Sequence, residues 1–227
     1  MSIRLDGVSV RLGETDVLRD VTLDVDARTV AVIGENGSGK STFARLVGGL
    51  VGRSAGTMRI LGRDPATHAK ELQRRTAVVF SNPDAQILMP TVAEDVAFSL
   101  RADRLPASEV QERVAAALER FRLTDLADSS AHDLSGGQKQ LLALCGAFVR
   151  RPELVVADEP TAYLDARNAR QVADHLFADE GHRLVLVTHD LALAQRCEVA
   201  VLFAEGRAAA VGDPAAIVAE YEAILRC

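Results

Sequence analysis

Cysteine is scarce in this chain of 227 residues: Cys145, Cys197 and Cys227 are odd in number and far apart. That pattern excludes a disulfide framework and offers no metal-ligand spacing, so the three read as reduced thiols of a reducing compartment. No apolar run approaches the ~20 residues that cross a bilayer. The opening MSIRLDGVSV has no basic stretch leading into an apolar one, so no signal peptide is expected. A basic excess is missing too. The net charge of −6 argues against nucleic acid as the main partner, because such surfaces need a surplus of Lys and Arg. There is no internal repeat and no low-complexity linker. A chain of this kind would be held at a membrane only by other chains.

The residues that are present describe a globular α/β protein, long enough for one domain with a sub-domain inserted. SIRLDGVSV and VTLDVD alternate apolar and polar residues, as half-exposed antiparallel strands do. TVAVIG (29–34) is nearly all apolar and predicts a strand buried on both faces. From about Pro83 to Val149 the period changes. Val92, Val96 and Leu100, then Val110, Val114, Ala117, Leu118 and Phe121, recur at helical spacing. Buried strands return at LVVAD (154–158) and RLVLVT (183–188), separated by helical segments, which predicts crossover connections and a mostly parallel sheet. The tail PAAIVAEYEAILRC predicts a closing helix. One domain, 1–227, is expected: an α/β core with an N-terminal antiparallel β flank (about 1–82 and 150–227) and a helical subdomain (about 83–149).

GENGSGKS, Gly34 to Ser41, fits G-x-x-x-x-G-K-[ST] between a buried strand and a helix. Gly34, Gly37 and Gly39 let the backbone curl so that successive N–H groups point at phosphate oxygens. The following helix aims its positive end at the same spot. Lys40 supplies a cation for the β- and γ-phosphates, and the Ser41 hydroxyl can ligate Mg²⁺. Glu35, Asn36, Ser38 and Thr42 complete the expected nucleotide-binding set around this loop. In LVVADEP, Asp158 ends a buried strand where a carboxylate can reach Mg²⁺. Glu159 follows, positioned to orient the attacking water or accept its proton.

A second loop, LSGGQ (134–138), opens the helical segment QKQLLALCGAFVR. Ser135 is a good N-cap, and Ser135, Gly136, Gly137 and Gln138 at a helix N-terminus suit a phosphate. It cannot easily fold back on the first loop. A phosphate held by a second molecule is the alternative to an ordinary capped helix.

Together with YLD (163–165) and VTHD (187–190), these ordered motifs resemble the ATP-binding cassette (ABC) ATPases over essentially the whole chain. The resemblance implies a P-loop nucleotidase fold, ATP and Mg²⁺ as cofactors, and a dimer that sandwiches two ATP molecules, each held also by the partner's Ser135 loop. It implies that Glu159 is the catalytic carboxylate, that His189 contacts the γ-phosphate, and that Asp165 couples the two sites. VVFSNPDAQILMPTVAEDVAF is similar to a stretch of the energy-coupling-factor importers of vitamins and metal ions. That similarity implies a second cassette, identical or a paralogue, a transmembrane coupling subunit and a small substrate-capture membrane protein. It places the chain peripherally on the cytoplasmic face of the membrane. The compact length resembles the biotin-type cassettes, with cobalt or nickel next as cargo. A soluble ABC ATPase acting on protein or nucleic acid, and a non-hydrolysing nucleotide sensor, are the alternatives.

Two positions depart from the family pattern. Ser81 stands where a glutamine usually touches Mg²⁺, and Gln86 is not expected to replace it. Arg11 and Leu12 stand where an aromatic usually stacks on adenine. Asp84, Glu94 and Asp95 are expected to meet arginines of the membrane subunit.

Overall fold

The computed structural model describes residues 3–178 and 181–226. The N-terminal alternation becomes a hairpin, β1 (Ile3–Leu12) and β2 (Thr15–Val25). Next come β3 (Thr29–Gly34), α1 (Lys40–Val47), β4 (Ala55–Ile60), α2 (Pro65–Arg75) and β5 (Thr76–Phe80). The helical stretch holds α3 (Val92–Ser99), α4 (Ala107–Arg120) and α5 (Gly136–Phe148), linked by short 3₁₀ turns. The chain then alternates β6 (Leu154–Asp158), α6 (Ala166–Phe177), β7 (Arg183–Val187), α7 (Leu191–Ala194), β8 (Val199–Ala204), β9 (Arg207–Gly212) and α8 (Pro214–Leu225).

Two sheets result. The smaller is antiparallel with strand order β2-β1-β4. The larger has order β5-β6-β7-β3-β8-β9 and is parallel except for β9. This is a P-loop nucleotidase core with an antiparallel flank and inserted helices. Strand alternation explains how it is held together. In β3, Ala31 and Ile33 face the helices, with Val155, Ala157, Leu184, Leu186, Ala200 and Leu202 of neighbouring strands. Val30 and Val32 face the other way, with Val156, Val185, Val187, Val201 and Phe203, against α1 and the small sheet. A strand that feeds two cores has no polar face, which is why TVAVIG reads as an unbroken apolar run. Each buried Val, Leu, Ile or Phe among them contributes about 1.5–3 kcal/mol by leaving water.

Local chemistry sets the helix starts. Thr91 opens α3 with a reciprocal cap: its hydroxyl accepts from Glu94 N while the Glu94 carboxylate accepts from Thr91 N. Asp95 is buried and accepts from Leu88 N (2.7 Å) and Met89 N (3.0 Å), fixing the loop before the helix. Asp95 is therefore committed to the fold, while Glu94 caps through Oε2 and stays exposed. Asp84 keeps an exposed carboxylate, paired with Lys139 at 2.8 Å.

The carboxyl ends of β3, β6 and β7 lie side by side, with Val32 opposite Val187 and Asp158 also opposite Val187. The loops that leave these ends bring distant parts of the sequence to one place.

Candidate functional site

β3 ends at Gly34 with φ 143°, and a Cβ there would lie 2.2 Å from the Phe203 carbonyl oxygen on β8. Only glycine lets the chain turn so close to its neighbour. Gly39 has φ 105°, and a Cβ there would press Leu18 Cδ2 at 2.8 Å. Between them the loop winds into α1. Ser38 Oγ is buried, and no protein group among the described residues bonds it. Lys40 folds back over the loop and donates from Nζ to the carbonyls of Gly34 and Glu35, both at 2.7 Å. Burial pulls its ammonium below the usual lysine range, partly offset by the charges of Glu159, Asp158 and Glu35.

Ser41 Oγ donates to Asp158 Oδ1 at 3.1 Å, joining the start of α1 to the end of β6. Burial pushes the Asp158 carboxyl above the usual range, against the opposing pull of Ser41, Arg45 and Lys40. A hydroxyl and a carboxylate side by side are hard oxygen donors, the set that Mg²⁺ prefers. The two residues therefore fit such an ion.

Glu159 sits in the left-handed region with φ 52°, a strained conformation for a residue with a side chain. Its N–H donates to the Val187 carbonyl at 2.9 Å, so the turn is pinned to the end of β7. This orientation brings Oε2 to 2.7 Å from His189 Nδ1, and Oε2 also accepts from His189 N at 3.3 Å. A carboxylate oxygen accepts here, so the ring is the donor of this bond, through Nδ1. The His189 side chain is 73% exposed. The side chains of Lys40, Ser41, Asp158, Glu159 and His189 thus gather at the ends of three adjacent strands.

The second loop is elsewhere, at the N-terminus of α5. Ser135 and Gln138 cap each other: Ser135 N donates to Gln138 Oε1 at 2.8 Å and Gln138 N donates to Ser135 Oγ at 3.4 Å. Ser135 and Gly136 are exposed, and Gly137 is buried. No hydrogen bond among the described residues joins this loop to residues 34–42. Its neighbour is instead Asp165, through Asn168. Asp165 caps α6, and Oδ1 accepts from Arg167 N (3.0 Å) and Asn168 N (2.9 Å), while Oδ2 accepts from Asn168 Nδ2 (2.7 Å). The Asn168 backbone bond first, then its side chain, holds that carboxyl below the usual aspartate range.

Two glutamines escaped the sequence reading in these roles. Gln86 accepts from Phe80 N (2.8 Å) and donates to Val78 O (3.0 Å), so it is spent on the edge of β5, as expected of a residue that does not replace the missing glutamine. Gln140, buried in α5, donates to Phe80 O at 3.1 Å and ties the strand before Ser81 to the Ser135 helix. Its polar side chain inside an otherwise apolar helical run was the available signal. Near the expected adenine position, Arg11 is taken by Asp16 at 2.7 and 3.1 Å, which leaves exposed Leu12 as the apolar surface.

A buried strand, a glycine-wound loop with its lysine at a helix start, and acids ending the neighbouring strand define a P-loop nucleotide hydrolase. The ABC transporter family profile matches residues 18–162, and the chain belongs to that family, as an ATPase of the energy-coupling-factor type. It is 38% identical to the biotin transport ATP-binding protein BioM of Rhizobium etli, over 99% of both chains. It is 38% identical to the energy-coupling factor transporter ATP-binding protein EcfA1 of Symbiobacterium thermophilum, over 96% of this chain and 82% of that one. Its structure is similar to cbiO1 of Clostridium perfringens, part of the transporter complex cbiONQ, with TM-score 0.85 and 28% identity over 99% of this chain and 93% of that one. The chain is thus an ATP-binding, ATP-hydrolysing subunit of an ABC transporter.

Proposed function

We propose that two copies of this chain, or this chain and a paralogue, close around two ATP molecules and power import of a vitamin or metal ion through a separate membrane subunit. The observation that carries this reading is the separation of two phosphate-suited loops within one chain. Residues 34–42 with Asp158, Glu159 and His189 form one cluster. Ser135, Gly136, Gly137 and Gln138 form another, exposed at its tip and without a bond to the first. A loop that cannot serve its own chain's nucleotide is suited to serve a partner's.

In this reading the backbone of Gly34, Glu35, Asn36, Gly37, Ser38 and Gly39 cradles the phosphates, and Lys40 exchanges its two carbonyl partners for them. Thr42, buried in the first turn of α1, backs the loop from the helix side. Ser41 and Asp158 would hold Mg²⁺, which supplies charge neutralisation on the phosphates. Glu159 orients and deprotonates the attacking water, and His189, held by Glu159, turns its exposed ring toward the terminal phosphate. Asp165 lies where it can report on the neighbouring site. The helical part, about 83–149, acts as the subdomain that carries the Ser135 loop.

Among the described residues no helix is long and apolar enough to cross a membrane. The membrane subunit and its capture protein would therefore hold the chain peripherally. The exposed side chains of Leu50, Leu88 and Phe98 give such a subunit apolar contacts, and Leu50 lines the cleft between the core and the helical stretch together with Ser99, Ala147 and Arg150. The relatives named for biotin transport and for cbiONQ support biotin as the leading cargo, with cobalt or nickel next. The test is a tagged pull-down from detergent-solubilised membranes of the native host. A multi-span subunit with a small hydrophobic capture protein is the expected result, and recovery of soluble proteins alone would reject the reading.

A further inference from the structure

Asn168 lies between the segment that follows Glu159 and the N-terminus of the Ser135 helix. It is the third residue of α6 and half-buried. Its Nδ2 donates to Asp165 Oδ2 at 2.7 Å. Its other side meets Gly137: a Cβ added to Gly137 would lie 2.5 Å from Asn168 Cγ, 2.6 Å from Nδ2 and 2.8 Å from Oδ1. The amide is therefore wedged between the Asp165 carboxylate and the backbone of the Ser135 helix. Neither contact leaves slack. An asparagine has only two side-chain torsions, and the bond to Asp165 fixes both of them.

Asp165 closes the segment that begins at Glu159. That segment contains a second strained residue, Tyr163, with φ 63° and its side chain fully exposed. The segment thus runs from the site of this chain's own nucleotide to the back of the loop that, on the reading above, grips the partner's. We propose that Asn168 is a positioning residue that makes these two loops move as one unit, so that closure on one nucleotide sets the geometry of hydrolysis at the other. This inference rests on the proposed assignment of the Ser135 loop to a partner's ATP. It adds that the link inside each chain is a single amide, packed against Gly137 and bonded to Asp165.

The contact also predicts that position 137 resists a side chain. Gly137 is helical, so a methyl there is not excluded by its backbone. It would have to displace Asn168, and displacing Asn168 breaks the bond to Asp165.

The experiment is a double-mutant cycle on the full chain in its reconstituted transporter, reading ATPase kcat and KM together with thermal midpoint. Asn168→Ala should lower kcat about tenfold, the scale of loss expected when a catalytic geometry is loosened, with KM for ATP within about twofold and the midpoint little changed. Asn168→Asp keeps the shape against Gly137 but sets two carboxylates face to face, so it should lose as much. Gly137→Ala should be harmful with Asn168 in place and should recover at least half of the lost rate when combined with Asn168→Ala. If Gly137→Ala is equally harmful with either residue at 168, the contact does not act as proposed. A kcat unchanged in both Asn168 variants, or lost only in step with the thermal midpoint, also overturns it. Failure of the underlying reading looks different: the wild-type ATPase rate would then rise only linearly with the concentration of the isolated chain.

Discussion

The loop at 34–41 and the loop at 135–138 are both glycine-rich helix starts, yet they are built on opposite plans. The first is fixed from outside. β8 presses on Gly34, β2 on Gly39, and β6 and β7 deliver Asp158, Glu159 and His189 to its rim. The second is fixed from within, by a reciprocal cap between Ser135 and Gln138, and its Gly137 abuts Asn168 of α6. The first therefore has a cation, two acids and a histidine at hand, and the second has backbone donors, a hydroxyl and an amide. On the proposed reading the first loop supplies the chemistry and the second completes the partner's site.

Breaking the chemistry of the first loop should have the largest effect. Glu159→Gln keeps the size and the bond to His189 but removes the base, and phosphate release should fall about 10²- to 10⁴-fold while ATP binding persists. A fall of less than tenfold would move the base to another residue.

The comparison itself is tested by mixing. Lys40→Ala disables the first loop and Ser135→Arg the second, and each variant alone should be inactive. Mixed, they form dimers in which one composite site is intact. The mixture should regain hydrolysis at no more than about a quarter of the wild-type rate, since random pairing leaves one intact composite site in half of the dimers and the two sites are proposed to be coupled. If the two loops serve the same chain's nucleotide, mixing restores nothing.

The smallest expected effect concerns stability. Asp158 is buried and its carboxyl is raised above the ordinary range. An acid raised on folding favours the folded state when protonated, and that contribution is lost as pH rises through its folded value. Asp158→Asn keeps an acceptor for Ser41 and removes the buried charge. Without nucleotide or metal, its thermal midpoint at pH 7 should exceed that of the parent by about 2–4 °C, the equivalent of about 1 kcal/mol in a chain of this size. The gap should shrink as pH falls and close below the ordinary aspartate value of about 3.9. A midpoint lower than the parent's at pH 7 would mean that the charge is already compensated.

The sequence made much of this legible because its strongest signals are local. A glycine-wound loop after a buried strand, and an acid at the end of another, are readable from neighbours in the chain. What lay beyond it depends on which strands become adjacent. The bond between Glu159 and His189 exists because β6 pairs with β7, and no spacing in the sequence states that pairing. The acids after Ser81 teach the opposite lesson. Thr91 followed three residues on by Glu94 is a readable capping pattern, a local role that the expected partner contact did not include. Asp95 could not have been assigned so simply, since its two backbone donors lie on the preceding loop rather than on its own helix.

Lys40 holds one further consequence. With its ammonium lodged on two carbonyls of its own loop, the winding of the loop is held by the chain itself. Entry of a phosphate chain is then a trade of partners rather than an act of folding. In the proposed dimer, nucleotide can then load and unload without refolding the loop, and the slow events of the cycle are left to the meeting and parting of whole subunits.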